Sequence, residues 1–153
     1  MNASANYLDQ YKDGGIYDDS QYGGPYISKG VKFARFVGSI LPAQSKIVCI
    51  GCGLGFEMIE YINQGHNVYG TEFHKIENVK VLDGRVINAV VPHLPFKDKE
   101  FDLLHCTEVL EHIPVDNTDA FLKECDRVSD KQFFSIATEM DLHRTHINLH
   151  DPE

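Results

Sequence analysis

A glycine-rich turn between two apolar segments constrains the fold more strongly than any other feature of the sequence. Residues 46–63 read KIVCIGCGLGFEMIEYIN. Residues 47–50 have the length and partial β-branching of a strand, and residues 56–62 place apolar side chains at helical spacing. The turn between them holds three glycines at alternate positions, namely Gly51, Gly53 and Gly55. The segment predicts a strand, a tight turn and a helix whose N-terminus suits an anionic group.

A carboxylate follows the next predicted strand, residues 67–71. Glu72 lies about 20 residues after Gly51, the separation at which an acid meets ribose hydroxyls in nucleotide-binding folds. The dinucleotide fingerprint has its third glycine at position 56, which is Phe56 here. The spacing therefore disfavours a nicotinamide oxidoreductase.

Helical and strand patterns alternate along the rest of the chain. Further strands are predicted at residues 85–89, 101–107 and 132–138, with helices at 28–41, 73–82 and 116–128 and a loop at 90–99. Ser28 and Asp116 are the predicted N-caps of two of these helices. The alternation predicts an α/β domain with a parallel sheet and helices on both faces.

Size, charge and cysteine content limit the classes of function. The chain has 153 residues, which predicts one domain, and its formal net charge of −9 disfavours a general nucleic-acid groove. It contains no apolar run of membrane-spanning length and no secretory signal pattern at the start, so the sequence predicts no membrane partner. Its four cysteines lie in apolar runs, which predicts reduced thiols in a cytoplasmic protein. The pair Cys49 and Cys52 leaves a redox or zinc role open.

Four segments resemble, in order and approximate spacing, the motifs of class I S-adenosylmethionine-dependent methyltransferases. They read GCGLGF, VYGTE, LPFKDKEFDLLHCTEVLEHI and FLKECDRV. The resemblance implies a Rossmann-like doubly wound sheet with strand order 3-2-1-4-5, S-adenosylmethionine as cofactor, and an acceptor, a small molecule or another compound, that the sequence does not identify. It implies a methyltransferase domain over residues 28–153. The tyrosine-rich residues 1–27 are then a flexible arm or an aromatic lid over the cofactor.

The resemblance also implies which residues bind the cofactor. The glycine turn receives its amino-acid tail, Glu72 its ribose, and Asn88 with Ala89 its adenine, while the end of the fourth strand is where cofactor and acceptor meet. The cofactor-binding residues so implied are Gly51, Cys52, Gly53, Gly55, Glu72, Phe73, Asn88, Ala89, Thr107 and Glu108.

Two histidines are candidates for the acceptor side. His112 is a candidate general base or substrate contact, because histidine as a residue type has a pKa near neutral pH; the alternative is a helix-end histidine in a hydrogen-bond network. His146 corresponds to a histidine-containing segment that lines the acceptor site in the resembled family. Residues 141–151 contain three histidines and two acids, a composition that also suits zinc or iron, but the sequence predicts no metal site.

Two departures from the family pattern favour an alternative class of function. Cys49 stands where the family usually has an acid that holds the cofactor tail. No β-rich run follows Thr138, so two strands usual in the family are missing and the sheet is short at its C-terminal side. A non-catalytic cofactor-binding or partner subunit is the alternative to a methyltransferase. The open edge at residues 132–138 predicts a homo-oligomer or a partner protein.

Overall fold

The computed structural model describes residues 25–73, 82, 84–138, 146 and 148. Its strands are β1 (Lys46–Ile50), β2 (Asn67–Glu72), β3 (Val86–Asn88), β4 (Leu103–Thr107) and β5 (Gln132–Ser135). Its helices are α1 (Pro25–Ile40), α2 (Phe56–Asn63), the 3-10 helix Leu110–His112 and α3 (Val115–Val128). All strand pairs are parallel, and the sheet has the order β3-β2-β1-β4-β5. The predicted α/β class and strand order are confirmed.

The starts of two helices differ from the predictions. Helix α1 begins at Pro25, so Ser28 lies in the helix and is not its N-cap. A proline favours the first turn because its fixed φ is helical and its missing N–H is not needed there. Helix α3 begins after Pro114, whose carbonyl accepts the Asn117 N–H at 2.8 Å. Asp116 therefore lies in the first turn and makes no cap.

Three strands are shorter than predicted, because a strand ends where its neighbour ends. Ser135 is the last residue of β5 and pairs with Thr107, the last residue of β4, so residues 136–138 have no ladder to join. Strand β4 begins at Leu103, and Phe101 forms only an isolated bridge. Strand β3 comprises three residues instead of five.

Two predicted segments lie largely outside the described residues. Residues 1–24 of the predicted arm and residues 74–81 of the predicted helix at 73–82 are among them. Residues 25–27, which the sequence assigned to the arm, belong to α1. Within the described ranges, no helix has both the length and the apolarity needed to cross a membrane.

Strand β1 supplies the centre of the core on both faces of the sheet. Ile47 and Cys49 join the cluster beneath α1 and α2, whereas Val48 and Ile50 join the cluster beneath α3. This alternation follows from the two-residue period of a strand. Phe101 is 4% exposed in the second cluster, as the sequence predicted. Both faces of the parallel sheet are therefore covered by helices.

The four cysteines are buried and free. Burial raises the pKa of the Cys49 and Cys106 thiols well above the usual value for cysteine. It raises the pKa of Cys125 to about 12. The pKa of Cys52 is also raised by burial. Because the thiolate is the reactive and metal-binding form, the structure favours inert core thiols over a redox or zinc pair.

The face of β4 beneath α2 contains a buried histidine. His105 is 1% exposed, and its Nδ1 lies 2.8 Å from the Tyr61 hydroxyl. Its ring stacks on Phe133 with the centroids 5.0 Å apart. Burial lowers the pKa of His105 to about 4, because the imidazolium form would lose its hydration.

We predict that this histidine makes the fold acid-sensitive. The unfolded chain, with a histidine pKa near 6.5, binds more protons than the folded chain between that value and about 4. The stabilisation is therefore complete above the unfolded pKa and falls as the pH drops towards 4, by up to about 3 kcal/mol. Denaturant titrations between about pH 7 and about pH 4.5 will measure the loss.

The variant His105→Gln is the matched control, because its amide can still bond with Tyr61 but does not titrate. Its unfolding free energy should depend less steeply on pH than that of the wild type. Equal slopes for the two proteins would contradict the assignment to His105.

Candidate functional site

The predicted glycine turn joins β1 to α2 at the carboxyl end of the sheet. Its three glycines all have left-handed backbones, and at Gly51 φ is 62°. The Cys52 N–H donates to the Thr71 carbonyl at 3.0 Å, which joins the turn to β2. A Cβ atom on Gly51 would lie 2.5 Å from Cγ2 of Val109. The turn is therefore packed between β2 and the segment after β4, in a conformation that L side chains disfavour.

Glu72 ends β2 with a buried carboxylate that anchors the turn. Its Oε2 accepts the Gly53 N–H and its Oε1 accepts the Phe73 N–H, each at 2.8 Å. The side chain is 4% exposed. The sequence predicted a ribose contact for Glu72 but not this structural role, because strand periodicity does not tell which donors a terminal side chain meets.

Asn88 and Ala89 extend this cluster to the end of β3. The Asn88 amide donates to the carbonyls of Phe73 at 2.7 Å and Glu72 at 3.2 Å, and the Ala89 N–H donates to the Glu72 carbonyl at 3.1 Å. The Phe73 ring is 44% exposed. The glycine turn, Glu72, Phe73, Asn88 and Ala89 thus form one hydrogen-bonded group. We call it the cofactor rim, after the contacts that the sequence predicts for these residues.

Thr107 and Glu108 follow at the carboxyl end of β4. Glu108 has a left-handed backbone with φ 54°, which is uncommon for a residue other than glycine. Its N–H donates to the Ser135 carbonyl, and its Oε1 accepts the Ser135 hydroxyl, each at 2.8 Å. The Lys29 Nζ of α1 lies 3.5 Å from the same oxygen. Glu108 therefore connects β4, β5 and α1.

The sequence reasoning missed Glu57, in the first turn of α2. Burial raises the pKa of this carboxylate, while hydrogen bonds from its own N–H and from the Thr107 hydroxyl oppose the rise. Its charge contributes to the raised pKa of both Cys49 and Cys52. A Cβ atom on Gly30 would collide with the Glu57 carboxylate, so α1 closes over it. An acid in the first turn of a helix that follows a glycine turn was the signal that could have identified it.

The two predicted acceptor-side histidines lie together. The rings of His112 and His146 have centroids 5.0 Å apart and planes at 77°, and both side chains are half-buried. Glu111, which received no role from the sequence, is fully buried beside them. Its Oε1 accepts the Ala137 N–H, and its carbonyl accepts the Asn148 N–H, each at 3.0 Å. The 3-10 helix and the segment after β5 therefore meet at Glu111.

A protein-family profile described as a methyltransferase domain matches residues 48–132, more than half of the chain. The chain belongs to the methyltransferase-domain family. The matched range includes the whole cofactor rim, Glu108 and His112, whereas His146 lies beyond it. A comparison with the curated proteins found no match.

Solved structures agree with the fold of this methyltransferase domain. A protein from Pyrococcus horikoshii has a TM-score of 0.62 at 19% identity over 74% of this chain. The 1,6-didemethyltoxoflavin-N1-methyltransferase of Burkholderia thailandensis, solved with S-adenosylhomocysteine, has a TM-score of 0.61 at 16% identity over 89%. The magnesium protoporphyrin IX methyltransferase of Synechocystis, solved with S-adenosylmethionine, has a TM-score of 0.59 at 19% identity over 85%. Identities this low establish the fold alone.

The chain is shorter than these proteins. The similarity spans 57% of the Pyrococcus protein, 64% of the Burkholderia enzyme and 67% of the Synechocystis enzyme. Because the chain covers less than two thirds of the first two proteins, their activities are not shown for it.

We predict that Gly51 is required by packing as well as by its backbone. Gly65 also has a positive φ, but a Cβ atom there would meet nothing within 4 Å, so Gly65→Ala is the matched control. Gly51→Ala should lower the free energy of unfolding by about 1–3 kcal/mol more than the control, because its methyl group overpacks against Val109. Denaturant titrations of the two variants will measure the difference.

The double variant Gly51→Ala with Val109→Ala separates the two causes. Removing the Val109 methyl groups should return part of the stability that the Gly51 substitution removes. Additive losses in the double variant would show that the collision with Val109 is not responsible.

Proposed function

We propose that this methyltransferase domain binds S-adenosylmethionine at the cofactor rim and transfers its methyl group to an acceptor, which we expect to be a small molecule. The supporting observation is that the glycine turn, Glu72, Asn88 and Thr107 all lie at the carboxyl ends of neighbouring strands. Ligands of open parallel sheets bind at this edge, where the strand order reverses between β1 and β4. Two of the structurally similar enzymes hold S-adenosylmethionine or S-adenosylhomocysteine.

Each part of the cofactor has a chemically suitable partner in the rim. The amino-acid tail passes along Gly51, Cys52, Gly53 and Gly55, with its carboxylate towards the N-terminus of α2. Glu72 accepts the ribose hydroxyls; each carboxylate oxygen has two lone pairs, so an oxygen that accepts one backbone N–H can accept a hydroxyl as well. Phe73 offers an exposed ring to the adenine, and Asn88 with Ala89 borders the adenine edge.

Glu57 compensates for the missing acid at Cys49. In the family an acid at the Cys49 position helps to hold the cofactor tail, and Glu57 places a carboxylate close enough to affect both Cys49 and Cys52. We assign Glu57 to the ammonium group of the cofactor tail. A cation there would favour the charged carboxylate, which burial otherwise disfavours.

His112 and His146 form the acceptor side of the proposed site, next to Glu108. The sulfonium of the cofactor supplies the activation, so the protein has mainly to hold the acceptor in line with the methyl group and exclude water. Either imidazole is a candidate general base for an acceptor that must lose a proton.

Location and association follow from two further features. Four buried, free thiols support a cytoplasmic location. Strand β5 pairs with β4 alone and lies at one edge of the described sheet, which supports self-association or a partner protein at that edge. The formal net charge of −9 favours a small molecule over nucleic acid as the acceptor.

The cofactor assignment predicts a specific binding profile. We expect calorimetry to detect S-adenosylhomocysteine binding and no comparable response to NAD. Glu72→Ala should weaken S-adenosylhomocysteine binding by about 1.5–3 kcal/mol, the range for a hydrogen bond to a charged group, and Cys49→Ala should have little effect. Glu72→Gln keeps an acceptor for one of the two backbone N–H groups, and melting curves of both variants will establish that they are folded. Binding of NAD alone would contradict the proposal.

The alternative function is a non-catalytic cofactor-binding subunit, which the thiol at Cys49 favours. Turnover distinguishes this alternative from a methyltransferase. With S-adenosylmethionine and a small-molecule extract, the wild type should form S-adenosylhomocysteine, and Glu57→Gln should form it more slowly because the ammonium loses its carboxylate. Cofactor binding without turnover in every acceptor mixture would favour the non-catalytic subunit.

The edge strand predicts concentration-dependent self-association. Ile136, directly after β5, is 42% exposed, and Val115 at the start of α3 is 59% exposed. Light scattering should detect a dimer of the wild type. Ile136→Lys should shift it towards the monomer, because a charge at a sheet edge opposes pairing, and the control Val115→Lys should not. A wild type that stays monomeric at every concentration tested would refute self-association.

A further inference from the structure

Three metal-ligand side chains converge beside the acceptor side. One ligand atom each from Glu111, His112 and His146 lies within 4.8 Å of the other two. An ion placed centrally among such atoms is at most about 2.8 Å from each, whereas zinc lies about 2.0–2.2 Å from imidazole nitrogen and carboxylate oxygen. Each ligand therefore has to move by less than about 0.8 Å, which small side-chain rotations provide.

Glu111 gives a reason for a cation at this place. The residue is 0% exposed, and no other residue in the described ranges donates a hydrogen bond to its buried Oε2. Its Oε1 is already bonded to the Ala137 N–H, so Oε2 is the oxygen left for a ligand. A charged carboxylate buried at this position lacks hydration. A bound cation would remove this cost.

The neighbouring charges make the cluster more attractive to a cation. The carboxylate of Glu108 adds a second negative charge near Glu111. The Lys29 ammonium lies 3.5 Å from a Glu108 oxygen, and the Ser135 hydroxyl donates to that same oxygen. Glu108 therefore has partners from α1 and β5, and we do not count it among the ligands.

Backbone contacts hold the cluster in place from both sides. The Asn148 N–H donates to the Glu111 carbonyl, and the Asn148 amide donates to the Thr118 hydroxyl at 2.8 Å. Asn148 is 3% exposed and lies two residues after His146. On the other side, the His112 N–H donates to the Val109 carbonyl at 3.0 Å within the 3-10 helix. These contacts fix the backbone of the 3-10 helix that carries His112 and attach Asn148, two residues after His146, to it.

We propose that Glu111, His112 and His146 bind a divalent transition-metal ion, with Zn²⁺ the best match. Two imidazoles and one carboxylate suit zinc and its neighbours, whereas Mg²⁺ prefers oxygen ligands alone. Three protein ligands leave at least one coordination position for a water or another oxygen ligand, as in catalytic rather than structural zinc sites. The proposal departs from the expectation of no metal site, which considered the C-terminal histidines apart from Glu111.

A metal would change what the two histidines do. A lone pair given to a metal ion cannot also accept a proton, so His112 and His146 would act as ligands and not as general bases. The site would lie next to the cofactor rim, because Val109 packs against Gly51. Metal binding by this cluster does not require that the chain transfer methyl groups.

The proposal is tested by metal titration of the untagged, chelator-treated full chain without cofactor or acceptor. Calorimetry should show one Zn²⁺ bound per chain and much weaker Mg²⁺ binding. His112→Ala and His146→Ala should each weaken Zn²⁺ binding at least about tenfold, since loss of an outer-sphere partner alone costs that much. The exposed His93 gives the matched control, and His93→Ala should leave Zn²⁺ affinity unchanged.

Cobalt identifies the ligands independently of affinity. Co²⁺ should give visible d–d absorption without a thiolate charge-transfer band, and either histidine substitution should reduce it. Melting curves will establish that the variants are folded, and these half-buried positions tolerate alanine better than Glu111 does. Absence of Zn²⁺ binding, equal affinities for the wild type and both histidine variants, or a thiolate band would each overturn the proposal.

Discussion

The hydrogen bonds of the Glu72 carboxylate are the contacts on which the cofactor rim depends. A carboxylate that is 4% exposed is costly unless its oxygens are bonded, and the backbone N–H groups of Gly53 and Phe73 satisfy them. The same bond stabilises the glycine turn, because the Gly53 N–H, which lies in a left-handed turn, finds its acceptor in Glu72. The carbonyl of the same residue accepts the amide groups of Asn88 and Ala89. One residue thus aligns the ends of β1, β2 and β3.

The fold could be predicted from the sequence because its signals are local. The apolar run of residues 47–50 and the glycines after it locate β1 and the turn without any long-range information. Segment ends were predicted less well, because they depend on neighbours. Strand β5 stops at Ser135 since β4 stops at Thr107, and α3 begins after Pro114 since the proline carbonyl, not the Asp116 side chain, accepts the first helical amide.

The same distinction divides the candidate site. The places of Gly51 after β1 and of Glu72 at the end of β2 were predictable, because strand periodicity and the separation between the two residues locate them. Glu57 was missed because its partner Thr107 is 50 residues away and helical periodicity treats an acid there as surface. Glu111 received no role for a similar reason: its hydrogen-bond partners are residues 137 and 148, which no pattern around position 111 reveals. The sequence indicated His112 and His146 as separate candidates, but it did not predict that their rings lie in contact.

The two halves of the site are therefore held by different kinds of contact. The cofactor rim is built from strand ends and from backbone groups bonded to Glu72, so most substitutions on its surface leave the backbone in place. The acceptor side depends on Glu111 and Asn148, which attach the segment after β5 to the 3-10 helix by a few hydrogen bonds. The glycine turn is instead bonded to the Glu72 carboxylate and to the Thr71 carbonyl of β2. We therefore expect substitutions in the segment after β5 to affect the proposed acceptor side more than the cofactor rim.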